Sequence, residues 1–173
     1  SYWKLPEEHI NEIRIDEVGS VIDELDKNED LSYTIYQSSE NNKVTGYAIP
    51  IAGKGLWGTM YGYFAIEPDA ETVKGITFYK HKETPGLGAE VDKDWFKNNF
   101  VGKKLTNENG ELVSIEVIKG YVSDTDPDAP HKVDGISGAT ITGTGLTTFL
   151  KSDLQKYEPY FAKVRRVNQI ESL

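Results

Sequence analysis

The chain contains no cysteine, which excludes disulfides, thiolate zinc sites, iron–sulfur clusters and thiol nucleophiles together. Its three histidines, His9, His81 and His131, are scattered without ligand spacing, which argues against a metal site. Positive charge is scarce: 19 basic against 28 acidic residues leave a formal charge of −9. That balance excludes the basic footprint of a nucleic-acid binder and docking on anionic lipid. Long hydrophobic runs are missing too. The weakly polar stretch 55–66 is about half the length a spanning helix needs, and it is rich in glycine and tyrosine.

What is present is an ordinary globular composition, 38% hydrophobic and 27% charged over 173 residues, enough for one sizeable core. With no repeat or low-complexity linker, residues 1–173 read as a single domain. Apolar positions at Ile15, Val18, Val21, Ile22 and Leu25 predict a helix over Ile13–Asp26, although Gly19 interrupts it. Leu31–Gln37 and Val44–Ile51 alternate as strands around Asn41-Asn42 and form a first hairpin. Thr59–Glu67 and Thr72–Lys80, joined at Pro68-Asp69, form a second. A short helix is expected over Ala89–Phe100, a strand over Leu112–Lys119 and a loop over Tyr121–Lys132. The last helix should run from about Thr142 to Tyr157 on a stripe of Leu146, Phe149, Leu150, Leu154 and Tyr157, with Thr142 or Thr140 as its cap. Pro159 should end or break it. Hairpins with helices segregated in sequence predict an α+β fold, an antiparallel sheet with flanking helices.

Three strings carry chemistry. Asp134-Gly-Ile-Ser137-Gly138-Ala139-Thr140-Ile-Thr142 places small residues and hydroxyls immediately before the last helix. Small residues admit a ligand close to the backbone, and a helix start offers unpaired N–H groups to an anion. Glu83-Thr84-Pro85-Gly86-Leu87-Gly88 is a strand exit that holds a large apolar residue in a loop. As a bare Thr-Pro-Gly it reads as a type II-like turn. Gly55-Leu56-Trp57-Gly58 repeats the pattern at the mouth of another strand, although Trp57 taken singly reads as core. Two glycine-flanked apolar loops and a phosphate-suited helix start together describe a planar, apolar ligand tethered by phosphate.

Competing chemistry is weaker. Asp124, Asp126 and Asp128 alternate in a loop but lack the glycine and terminal glutamate of an EF-hand, so they read as a solvated acidic loop. Ser137 has no histidine near it in sequence and no nucleophile elbow. The tyrosines of the strands read as cross-strand packing.

Gly53-Lys-Gly-Leu-Trp57, Glu83-Thr-Pro-Gly-Leu-Gly88, Trp95 with Phe100-Val-Gly-Lys-Lys-Leu105, Asp134 to Thr140, and Tyr160-Phe-Ala-Lys-Val-Arg165 follow one another in this order. In these motifs the chain resembles the FMN-binding domain family, shared by sodium-translocating NADH:quinone oxidoreductases, in their NqrC subunit, and by the Rnf electron-transport complex. The resemblance runs from about Lys54 to Arg166. It implies FMN joined through its phosphate to Thr140, with Thr142 the rival by local chemistry alone. Ser137, Gly138 and Ala139 lie in that motif. Thr84 and Leu87 are expected at the flavin ring, with Trp57, Leu56 and Gly86 beside them. Glu83 would accept from a ring or ribityl group, or form a surface salt bridge to Lys80 or Lys82. The resemblance further implies an electron carrier in a sodium-pumping membrane complex of the inner membrane. Its partners would be the other subunits and a flavin transferase, and it would bind neither NADH nor quinone itself. A membrane helix is expected upstream of Ser1, with this domain outside the cytoplasm. An Rnf-type, ferredoxin-linked subunit and a non-redox binding module are the alternatives.

Overall fold

The computed structural model describes residues 9–22 and 32–173. Five strands form one antiparallel sheet in chain order: β1 (Ile10–Ile15), β2 (Tyr33–Glu40), β3 (Lys43–Lys54), β4 (Thr59–Ile66) and β5 (Val73–Lys80). Antiparallel neighbours need only tight turns, and the sequence supplies them. Asn41 and Asn42 take φ of 50° and 61°, the left-handed turn that asparagine tolerates. In the β4–β5 turn the Asp69 carboxylate accepts from the Glu71 and Thr72 amides and from the Thr72 hydroxyl. Both expected hairpins are therefore present, and the architecture is the α+β one.

A short helix α1 (Asp94–Asn98) follows β5, and the long helix α2 (Thr140–Glu171) lies across one face of the sheet, chiefly on β3. Along β3 the residues Tyr47, Ile49 and Ile51 are buried, the period-2 pattern of a half-covered strand. They meet Leu146, Phe149, Leu150, Leu154, Tyr157 and Phe161 of α2 in one core. Burying each such side chain stabilises the fold by about 2 kcal/mol. The edge of β3 beyond β2 is completed from the helix, where Asp153 accepts from the Ala52 amide at 2.8 Å.

Four expectations need correction. Ile10–Ile15 is a strand paired with β2, Ile13 opposite Ile35 and Ile15 opposite Tyr33, not the start of a helix. Its isoleucines alternate as well as they stripe, and the chain then turns. The Asp16 carboxylate accepts from the Val18 and Ser20 amides, Gly19 takes φ +76°, and Val21 bridges back to Ile15. The remainder of that segment, and Leu31, lie outside the described residues. Leu112–Lys119 is largely irregular: only β6 (Glu116–Val117) is strand, paired in parallel with β7 (Lys132–Val133). Ser114 at φ 65° breaks the rest. Ala89–Phe100 divides at the extended Lys93 into a 3-10 turn (Gly88–Asp92) and α1.

Finally, α2 runs through Pro159 to Glu171. A proline in a helix interior costs about 3 kcal/mol. Aromatic packing on both sides offsets it: Tyr157 packs at a tilt on Tyr33 with ring centroids 5.7 Å apart, and Tyr47 meets Tyr160 and Phe161 edge-on at 6.3 and 5.4 Å. Arg165 pins the helix further along by donating to the Ala70 carbonyl and pairing with Glu158. No described helix is long and apolar enough to cross a membrane.

Candidate functional site

Three segments distant in sequence meet where α2 begins: the β3–β4 loop, the segment leaving β5, and the Asp134–Thr140 approach. The helix is pressed against the end of β3, since a Cβ at Gly145 would lie 2.2 Å from the Lys54 carbonyl oxygen. Only glycine permits this approach. Gly138 takes φ +75°, and a Cβ there would stand 2.9 Å from Leu87 Cδ2. The Leu87 loop thus rests on the motif that leads into the helix.

Glu83, on the segment leaving β5, is tied both to the β3–β4 loop and to the first turn of α2. It is 6% exposed, and its Oε1 accepts from the Trp57 amide at 3.1 Å while Oε2 accepts from the Thr142 hydroxyl. Its own amide donates to His81 Nδ1 at 3.1 Å, and His81 Nε2 stands 2.7 Å from Asp92. Because Nδ1 accepts, the neutral ring carries its proton on Nε2, which donates to Asp92. Two glycines make room for the carboxylate: a Cβ at Gly55 would be 2.6 Å from Oε1, and one at Gly88 2.5 Å from Oε2. Glu83 forms no ion pair among the described residues, so the surface salt bridge to Lys80 or Lys82 is not what holds it.

Several apolar side chains on the segments tied to this carboxylate are exposed. Trp57 is 63% exposed, which overturns its reading as core. Its Nε1–H donates to Thr84 Oγ1 at 3.1 Å, which ties the exposed indole to the segment leaving β5. Leu56, Leu87 and Ile141 are exposed as well. Sequence reasoning misses Ile141, whose one signal is an apolar residue in the first turn, away from the core stripe.

The two threonines part company here. Thr140 is exposed, whereas Thr142 is 1% exposed with its hydroxyl committed to Glu83. Neither caps the helix: the cap position is Ala139, and no side chain there satisfies the first amides. An uncapped helix start carries about half a positive charge and free N–H donors. Ser137 and Gly138 are exposed beside it, with Gly86 on the facing loop. The acidic loop is self-contained: Lys132 pairs with Asp126 at 2.8 Å and with Asp128 at 3.6 Å.

The fold, the exposed apolar side chains and the uncapped helix start define an α+β domain whose surface suits a flat apolar ligand with an anionic tail. The chain belongs to the FMN-binding domain family, whose profile matches residues 55–155. Within it the chain groups with the NqrC subunits of Na(+)-translocating NADH-quinone reductases. The NqrC subunit from Pseudomonas aeruginosa is 40% identical over 135 residues, 77% of this chain and 51% of that protein. Its counterpart from Haemophilus ducreyi is 42% identical over 128 residues, covering 73% and 48%. The chain therefore spans about half the length of the curated relatives it matches. Among solved structures, the same subunit from Parabacteroides distasonis superposes with a TM-score of 0.75 at 33% identity, over 89% of this chain and 79% of that one. NqrC from Shewanella oneidensis gives 0.77 at 26%, covering 91% and 85%.

Proposed function

We propose that this chain carries flavin mononucleotide esterified through its phosphate to Thr140, and that it passes electrons within a membrane NADH:quinone reductase that moves sodium. The carrying observation is the contrast between the two threonines. One hydroxyl is open at an uncapped helix start, and the other is buried and engaged. The residues fit the group. The first-turn amides of α2 have no side-chain cap and would meet an anion, and the Asp134–Thr142 string holds no lysine or arginine, which suits a phosphodiester of one charge. Leu87, Leu56 and Trp57 offer apolar cover to a flat ring, and Thr84, which already accepts from Trp57, keeps a hydroxyl hydrogen to donate. Bound flavin supplies reversible uptake and release of electrons. The chain supplies tether, packing and hydrogen bonds, which tune that chemistry. On this reading residues 1–173 are one flavin-carrying domain outside the cytoplasm. The other subunits and a flavin transferase are its partners, and NADH and quinone bind elsewhere.

The test is mass spectrometry of the peptide containing Thr140 from protein made in its own host. An added mass equal to esterified FMN on Thr140 supports the proposal; bare peptide, or the adduct on Thr142, sinks it.

A further inference from the structure

Glu83 has work in this site that flavin contact does not account for. A buried carboxylate facing only neutral donors carries a desolvation cost, yet four separate features are built around it. The Trp57 amide and the Thr142 hydroxyl donate to its two oxygens, and Gly55 and Gly88 leave the space it fills. Both oxygens are spent inside the protein. The residue itself is 6% exposed.

The two donors belong to the two elements that must face each other across a ligand. Trp57 stands on the β3–β4 loop, and Thr142 lies one residue beyond Ile141 in the first turn of α2. That turn has no side-chain cap of its own; the helix is held from Gly143 and Gly145 onward, and the Thr142–Glu83 hydrogen bond is the side-chain tie within the first turn. Residues two apart on a helix point about 200° away from each other, so fixing Thr142 inward fixes Thr140 outward. A carboxylate beside Thr142 also repels a phosphate from the wrong hydroxyl.

We infer that Glu83 is the positioning residue of the flavin site. It ties the Trp57 loop to the start of α2 and thereby presents Thr140, and Thr140 alone, for attachment. The inference rests on the flavin reading above. The attachment step it governs is phosphoryl transfer. The Thr140 oxygen bonds to the FMN phosphorus of flavin adenine dinucleotide, the pyrophosphate P–O bond breaks, AMP leaves with the electron pair, and the threonine proton goes to solvent.

The experiment uses the full chain with Glu83→Ala, Glu83→Gln and Thr142→Val. It reads flavin loading of the Thr140 peptide by mass spectrometry in cells that supply the flavin transferase. It also reads amide hydrogen exchange of segments 54–58 and 139–144 in unloaded protein. For Glu83→Ala, loading at Thr140 should fall about tenfold or more, because small misplacements cost that much in an oriented reaction. Exchange should quicken in both segments. Glutamine keeps an oxygen for the Trp57 amide and a polar partner for Thr142, so Glu83→Gln should load within about twofold of wild type. Thr142→Val should quicken exchange in 139–144 and leave 54–58 protected.

Wild-type loading and exchange in Glu83→Ala overturn the inference. So does Glu83→Gln loading as poorly as Glu83→Ala with its exchange unchanged, since position is then not what the carboxylate supplies. Should the alanine variant fail to fold, the glutamine and valine variants decide alone. Should wild type take no flavin, the attachment proposal falls, while the exchange comparison still decides whether Glu83 clamps the two elements.

Discussion

The two ends of α2 are built on opposite plans. From Tyr157 onward the helix is held by large apolar contacts: Phe161 is 2% exposed, Tyr157 packs on Tyr33, and Tyr160 meets Tyr47. That end absorbs an interior proline and still continues to Glu171. The first turn has no side-chain cap, is approached closely at glycines, and leaves Ile141 exposed, as Leu87 and Trp57 are on the facing loops. One end spends its apolar residues on the core, and the other leaves them facing out. On the flavin reading, the domain keeps its apolar surface unsatisfied where the ring would lie and recovers stability elsewhere.

The sharpest way to break this comparison is to mutate each end and ask which property fails. Thr140→Ala should remove the flavin adduct completely. The residue is exposed and caps nothing, so the urea midpoint should move by no more than about 0.5 kcal/mol in equivalent stability. Phe161→Ala should do the reverse. Deleting a buried phenylalanine costs about 3–5 kcal/mol. The surviving folded fraction should still load flavin at Thr140. Loss of fold in the first variant, or of loading alone in the second, would erase the distinction.

Much of this architecture is legible in the sequence, and the failures share a cause. The hairpins read correctly because alternation and turn residues agree: Asn41-Asn42 and Asp69 are local signals. The motif residues are legible as a set, but their arrangement is not. Glu83 next to Lys82 looks like a surface charge, and only its contacts with Trp57 and Thr142, 26 and 59 residues away, show it buried. Trp57 reads as core because indoles usually are. In the fold it is 63% exposed and bonded to Thr84, 27 residues on, a partner that no local signal reveals. The same holds for Pro159, where local propensity loses to Tyr33 and Tyr47 far upstream. Ile10–Ile15 fails differently. Its apolar spacing fits both periods, and pairing with β2 decides between them.

A pH titration sharpens the contrast, because the firm end of α2 is the tyrosine end. Burial, and after it the neighbouring Tyr160, push Tyr47 from 10.0 up to about 12. Burial, then the Asp153 charge, raises Tyr157, and burial raises Tyr160. A raised folded pKa means that the unfolded chain ionises first. The stability held in these groups is therefore intact below pH 10 and is lost as pH climbs through about 12. Each tyrosine contributes a slope of up to about 1.4 kcal/mol per pH unit in that window. Urea midpoints measured across it should fall, and Tyr47→Phe should flatten the fall. A slope unchanged by that substitution would place the alkaline sensitivity elsewhere.

The smallest expected effect tests the open end directly. Leu87 is 42% exposed in a loop, yet it rests on Gly138 at the entry to α2. If it were structural, replacing it with serine would cost the roughly 2 kcal/mol of a buried leucine. If it covers the flavin ring, the unloaded protein should lose no more than about 0.5 kcal/mol, because solvent already reaches much of the side chain. The difference should then appear only after loading. Covalent flavin would still be present on Thr140, but its fluorescence should rise and its visible circular dichroism weaken as part of its apolar cover is removed. Equal stability with an unchanged flavin spectrum would mean that the exposed leucine faces something other than the ring.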